Sequence, residues 1–494
     1  MLEPANPTGS EQPGARTGSS RGASMQAPDA PLVVAYGPVL RTTAAAGLGL
    51  NIFLGLLGGA PAAHANPASL VPSAADPGDP ADLHLTLDYE YAIDNASIWR
   101  EVVGGAVDPL DPIPKHRDLA FRQFRHTLVP RAELGIYHNT WLSAALPIVI
   151  TQQRELTLGS GVTRDLSSTL RDGLLPRDGF DARDPGTPLP GDGVFRSPSR
   201  SGLDQLHLGF GLALMNQEKD ATKPTWKLGV EYRLPVGRVM RFNAADPGAE
   251  AGVGRGVHEV RAWTSFARRY ARTAAWFELF WQAPVAAKET SLFYVPKDEQ
   301  FGATNTMPAQ QGGVAFGLEL YAVDDATTGN RISLELGGRI GAHFEGRGYS
   351  EIWEVLAYGG DRRLGGPLVL DADPLTEGVQ ARSHPGISNI ENYLEMAGRA
   401  AIRAQLGKYV RFAATFDLVW KTDHAITFSD AGIDLPTCGG SRSGPCEDAD
   451  NVVVDPNSRE VNPLHVPRVD LVGHRYHAED NFGFVIGVQG QILF

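Results

Sequence analysis

Six stretches of this chain gather apolar residues on one side of a two-residue repeat, and none of them sets a charge on that side. DLHLTLDYEYAI (Asp82 to Ile93) places Leu83, Leu85, Leu87, Tyr89 and Tyr91 on one parity and His84, Asp88 and Glu90 on the other. LHLGFGLAL, WKLGVEYRL, RISLELGGRIGAHF and YVRFAATFDLVWK repeat the arrangement, and FGFVIGVQGQILF (Phe482 to Phe494) does so on an aromatic last residue. Side chains that alternate with a period of two belong to strands, and each of these strands has one wholly apolar face. A soluble sandwich turns such a face inward and connects its strands with far shorter loops. A lipid-facing barrel turns it outward and keeps its polar residues for the lumen.

The expected fold is therefore all-β, a transmembrane antiparallel barrel of about twelve strands. The candidate strands lie near 82–93, 118–137, 140–153, 203–215, 224–237, 257–269, 273–284, 310–322, 330–345, 390–405, 408–421 and 480–494. Connections alternate between short and long, with the long ones near 94–117, 154–202, 238–256, 285–309, 346–389 and 422–479. Short periplasmic turns and long extracellular loops are the pattern of outer-membrane barrels. An even strand number places both termini in the periplasm. The closing strand is expected to pair with the first, because an open sheet edge in lipid leaves backbone groups unsatisfied at several kcal/mol each, roughly. Tyr89, Tyr91, Trp141, Trp226, Tyr232, Trp281 and Trp420 are placed in interfacial girdles.

Residues 1–65 read as an N-terminal extension and signal peptide, with Met25 an alternative start. Arg41 precedes an apolar, glycine-broken run that ends on the small residues Ala63 and Ala65. Residues 66–81 are expected as a short periplasmic linker and 82–494 as the barrel. Mean hydropathy of -0.18 does not argue against a membrane, since half of each membrane strand is polar. A net charge of -13 excludes nucleic acid as a natural partner. Cys438 and Cys446, in CGGSRSGPC, are expected to form a local disulfide in the last long loop. The acids beside them, Asp448, Asp450 and Asp455, are too irregularly spaced for a calcium loop.

The stretch LGFGLALMNQEKDATKPTWKLGVEYRLPVG (Leu208 to Gly237) resembles a hairpin of the outer-membrane family named for the MetA pathway of phenol degradation. It shares a glycine-spaced strand, an acidic turn and a second strand ending in Leu-Pro-x-Gly. AGVGRGVHEVRAWTSFA (Ala251 to Ala267) is similar to the family's next hairpin, and ALP (Ala145 to Pro147) to its third strand. The resemblance implies an outer-membrane barrel that moves hydrophobic or aromatic compounds. It transfers no catalytic or binding residue.

On the inward parity, the lumen candidates are His84, Asp88, Glu90, Arg131, Glu133, Lys227, Glu231, Arg233, Glu259, Arg261, Glu278, Glu319, Glu335, Arg339, Glu395, Arg399, Arg403, Arg411, Asp417 and Lys421. Acids and bases are mixed, so they line a solute path or prop the barrel as an ion-pair network. Nucleophile-elbow, zincin and P-loop patterns are missing from the sequence; GSRSG (Gly440 to Gly444) has arginine where an elbow needs serine. No enzyme activity, cofactor or metal is expected. The expected partners are outer-membrane lipid, the barrel-assembly machinery (the terminal aromatic resembles its recognition signal) and an unidentified small solute. The function read from the sequence is passive or facilitated diffusion of a small, aromatic or hydrophobic compound. The alternative is a non-conducting barrel that displays its loops.

Overall fold

The computed structural model describes residues 69–76, 79–102, 113–294, 305–371, 380–429 and 464–494. The segment expected to be a signal peptide and both cysteines lie outside the described residues. Twelve antiparallel strands close into a barrel. They are β1 (Leu83–Glu101), β2 (Lys115–Tyr137), β3 (Thr140–Ala145, resuming as Ile148–Leu158), β4 (Leu206–Met215), β5 (Thr225–Leu234) and β6 (Val257–Arg269). They continue with β7 (Thr273–Ala287), β8 (Gln311–Asp325), β9 (Asn330–His343), β10 (Tyr393–Leu406), β11 (Val410–Lys421) and β12 (Tyr476–Leu493). The last strand pairs with the first from Leu493↔His84 to Tyr476↔Arg100, so the sheet has no free edge there.

Outward side chains such as Leu87, Leu142, Phe210, Val230, Leu336, Phe412 and Val488 are 48–55% exposed. That is too much bare apolar surface for water and is the outside that lipid requires. Tyr89 and Tyr232 stand among them, each hydrogen-bonded to an outward histidine, His126 at 2.7 Å and His258 at 2.9 Å. Trp281 and Trp420 also face out, but Trp141 does not. It shares the parity of Ser143 and Ala145, points inward and is 4% exposed, so its place in a girdle is corrected.

Strands β1, β2 and β12 are longer than the alternation showed, reaching Glu101, starting at Lys115 and starting at Tyr476. Their extra residues lie beyond the apolar band, where both faces of the sheet are covered by protein and a period of two no longer applies. Between strand ends at the loop side lies a cap with its own apolar core. It joins Ile98, Leu119 and Leu156 of β1–β3 to Leu174, Phe195, Leu356, Leu368 and Val469 of the loops. Helix α1 (Ser168–Arg171) starts where Asp118 of β2 accepts hydrogen bonds from the backbone N–H groups of Ser168 (2.9 Å) and Thr169 (3.0 Å). Helix α2 (Trp353–Gly359) is buried beside Met240 and Tyr349.

The cap carries opposed acids. Burial pushes the Asp470 carboxyl up to about 6, against hydrogen bonds from the Phe428 and Val466 amides. Burial also acts on Glu351, but the hydrogen bond and charge of His424 and the charge of Lys421 overcome it and hold that carboxyl at about 2. The raised group gives stability that is complete below the ordinary carboxylate range and is lost as pH rises through about 6. The lowered one gives stability lost only as pH falls toward about 2. Thermal unfolding followed from about pH 5 to pH 7.5 is expected to show a declining midpoint. Asp470→Asn, which mimics the protonated acid, should remove most of that slope; an equal slope in both proteins would refute the assignment.

The lumen as candidate functional site

None of the twenty inward-parity candidates is exposed. The alternation that sends leucines outward turns these side chains toward the barrel axis, where neighbouring strands bring opposite charges into register. On β10 and β11, Arg399 grips Asp417 with two hydrogen bonds of 2.6 and 2.7 Å. Arg403 reaches Glu335 at 3.0 Å, and Arg339 pairs with Glu395, which His343 approaches at 3.5 Å. Arg261 pairs with Glu278 at 2.7 Å and Arg233 with Glu231 at 2.8 Å. His84 stands 3.8 Å from Glu133, and Lys421 stands 3.9 Å from Glu351. Glu259 is met by Arg255 at 2.7 Å and by the side-chain amide of Gln205 at 3.0 Å. Glu319 accepts from the hydroxyls of Tyr321 (2.9 Å) and Ser333. Asp88 accepts from Gln489 at 2.6 Å, and Arg411 donates to Gln405 at 3.0 Å. Oε2 of Glu90 and Nε of Arg131 are buried with no hydrogen-bond partner among the described residues.

Among the described residues, two cavities lie along this wall. The one at the short-turn end has a volume of about 360 Å³ and is lined by Glu319, Arg403, Arg411, Gln489 and Gln491. The one at the loop end, about 300 Å³, reaches Asp94, His343, Tyr393, Lys421 and Val485. Along β10, β11 and β1, the residues between them are Glu395 and Arg399, Asp417, and Asp88 with Glu90; none of these lines either cavity. Asp88, Glu395 and Asp417 are 2–6% exposed although they face the axis, so the lumen is filled there by a waist of charged side chains. Each carboxylate and guanidinium there fills a space that a solute would have to share.

Residues 69–76 enter the short-turn mouth. Ala74 exchanges backbone hydrogen bonds with His138 (3.0 and 2.6 Å), and Lys227 donates to the Leu70 carbonyl at 3.1 Å. Lys219 reaches the Ser73 hydroxyl at 2.8 Å, and Val71 packs on Trp141 and Ala213. Gly135 makes this approach feasible, since a Cβ there would lie 2.3 Å from the Ser73 carbonyl oxygen.

Sequence reasoning kept the charges and missed the inward rings. Trp141, Trp263 and Trp276 lie flat over glycines of the adjoining strands. A Cβ on Gly211, Gly229 or Gly317 would sit 2.2, 2.3 or 2.6 Å from the respective indole. The signal was present: Trp263 shares the parity of Glu259 and Arg261, and Trp276 that of Glu278. His207, 3.5 Å from Glu231, was also passed over, although it alternates with Leu206 and Leu208.

No family model matches this chain, and no curated protein sequence matches it. Among solved structures it is similar to the COG4313 outer membrane channel of Pseudomonas putida F1, at 9% identity over 83% of this chain and 95% of that one, with a TM-score of 0.32. A FadL homologue of Pseudomonas aeruginosa matches at 9% identity over 83% and 90%, with a TM-score of 0.28. The outer membrane protease OmpT of Escherichia coli matches at 6% identity over 84% and 96%, with a TM-score of 0.25.

Proposed function

We propose that this protein is a bacterial outer-membrane channel through which a small, amphipathic or aromatic compound diffuses. Both termini stand on the periplasmic side, the lumen candidates line the path, and the barrel acts without catalysis. Membership in the phenol-degradation family noted in the sequence belongs to the same reading. The observation that supports it is the pair of cavities inside one closed wall, separated by a waist of side chains rather than by backbone. Passage requires only that these side chains swing aside, a far smaller motion than a rearrangement of strands. Mixed charge at the waist favours neither anions nor cations outright. A non-conducting display barrel is the second reading, supported by the apolar core of the cap, which gives the loops an ordered surface of their own.

The test is single-channel recording from the chain beginning at Asn66 in planar bilayers, with solute flux into liposomes measured in parallel. Conductance steps or flux of a small aromatic solute are the expected result. Neither, from barrels verified as folded, would overturn the channel reading and favour display.

A further inference from the structure

The loop-end cavity holds an imbalance that the ion-pair network does not remove. Five permanent cations line it (Arg125, Arg154, Arg255, Arg347 and Lys421) against three carboxylates, Asp94, Asp204 and Glu351. Three of the cations are matched: Arg125 with Asp204 at 3.5 Å, Lys421 with Glu351 at 3.9 Å, and Arg255 with Glu259 at 2.7 Å. Asp94 is held by the amide of Gln123 at 3.0 Å. Arg154 spends its donors on neutral oxygens, those of Gln123 (2.8 Å) and the Ser350 carbonyl (3.2 Å). Arg347 goes further. Its guanidinium has no hydrogen-bond or ion-pair partner among the described residues, and the charge nearest in effect is another guanidinium, Arg382. Burial and that neighbour pull Arg347 down to about 10.

A guanidinium lining a cavity with no partner is a fork shaped for a carboxylate. Phe121, Phe293, Tyr349 and Tyr393 bring rings to the same cavity, beside aliphatic side chains and the polar Gln152, Gln311, His343 and His424. Tyr349 is fixed by a 2.8 Å hydrogen bond to the Met240 carbonyl and by edge contacts with Phe293 and Trp353. Rings that supply contact area and charged groups that fix orientation are what a small-ligand pocket combines, and about 300 Å³ lies at the lower end of the usual range. We propose that this cavity binds a small organic acid, with its carboxylate on Arg347 and Arg154 and its apolar or aromatic body against the rings. This inference deepens the channel reading by naming the class of solute, and it rests on that reading for its physiological meaning.

The experiment is calorimetric titration of the folded chain beginning at Asn66, in detergent, with benzoate as the probe. Benzyl alcohol and benzylamine serve as neutral and cationic counterparts. Benzoate is expected to bind at least tenfold more tightly than either, roughly the loss of one charged hydrogen-bond pair. Arg347→Gln is expected to abolish that preference and Arg347→Lys to retain part of it. Lys223→Gln, on the exposed turn between β4 and β5, should leave benzoate binding unchanged. Thermal unfolding of each variant checks that the barrel still folds. Equal binding of benzoate and benzyl alcohol, or full benzoate affinity in a folded Arg347→Gln, would overturn the site. Liposome flux separates the two claims: neutral solutes crossing without a benzoate site would reject the site alone, whereas benzoate binding with no flux of any solute would reject the channel alone.

Discussion

Arg200→Ala is expected to weaken the cap by about 3–5 kcal/mol, the usual loss when one member of a buried ion pair is removed. Arg200 is fully buried, 2.7 Å from Glu354 of α2, and is stacked 5.3 Å from the Trp353 ring. The Nη2 that meets Glu354 also donates to the Arg241 carbonyl (3.0 Å), and Nη1 donates to the carbonyls of Glu250 (2.6 Å) and Gly252 (3.3 Å). One side chain thus ties the segment entering β4, the β5–β6 loop and α2 together. Alanine would leave three carbonyls and a buried carboxylate without their donor. Hydrogen exchange along α2 is the readout: protection should collapse there while the amides of β8–β11 stay slow. The double variant Arg200→Met with Glu354→Leu should recover much of the loss, because no unpaired charge is then left buried. Unchanged protection in Arg200→Ala would mean that the cap does not depend on this contact.

Deletion of residues 66–81 is expected to raise conductance and liposome flux well above those of the longer chain. The segment occupies the short-turn mouth through Leu70, Val71, Ser73 and Ala74, and its removal frees Lys227 and uncovers Trp141. The effect should be largest for small solutes and fade for bulky ones, since the mouth widens while the waist at Arg399 and Asp417 stays as it was. A deletion that leaves flux unchanged in folded barrels would place the limiting constriction at the waist or in the cap. Lys227→Met is the smaller counterpart, loosening the segment without removing it.

The wall of this barrel was legible because its logic is local. Whether Leu228 faces lipid and Glu231 the lumen follows from the parity of neighbours within one strand, and that parity needs no knowledge of the fold. The inward tryptophans were legible by the same rule, but a large apolar ring looks like an outward residue until its glycine partner on the adjoining strand is known. Gly229 and Trp263 meet only through the β5–β6 register. The cap was not legible. Arg200 and Glu354 are 154 positions apart, and neither sits in a periodic segment. The open valence of Arg347 is likewise defined by what fails to approach it, which a sequence does not record.

The pairing of β12 with β1 has a consequence in time. Gln491 bonds to Thr86 across 405 positions, and Leu83 and Phe494 exchange backbone hydrogen bonds with each other. Contacts so remote in the chain are reached only after a large loss of chain freedom, and they slow folding accordingly. A ring of strands also has no stable partial form in lipid, because every incomplete arc carries two unsatisfied margins. The seam is therefore the committing step of maturation. Until it forms, the nascent arc depends on some other surface to shelter its margins. Once it has formed, unzipping it demands the loss of the whole seam at once, and the finished barrel should outlast its own equilibrium stability by kinetics alone.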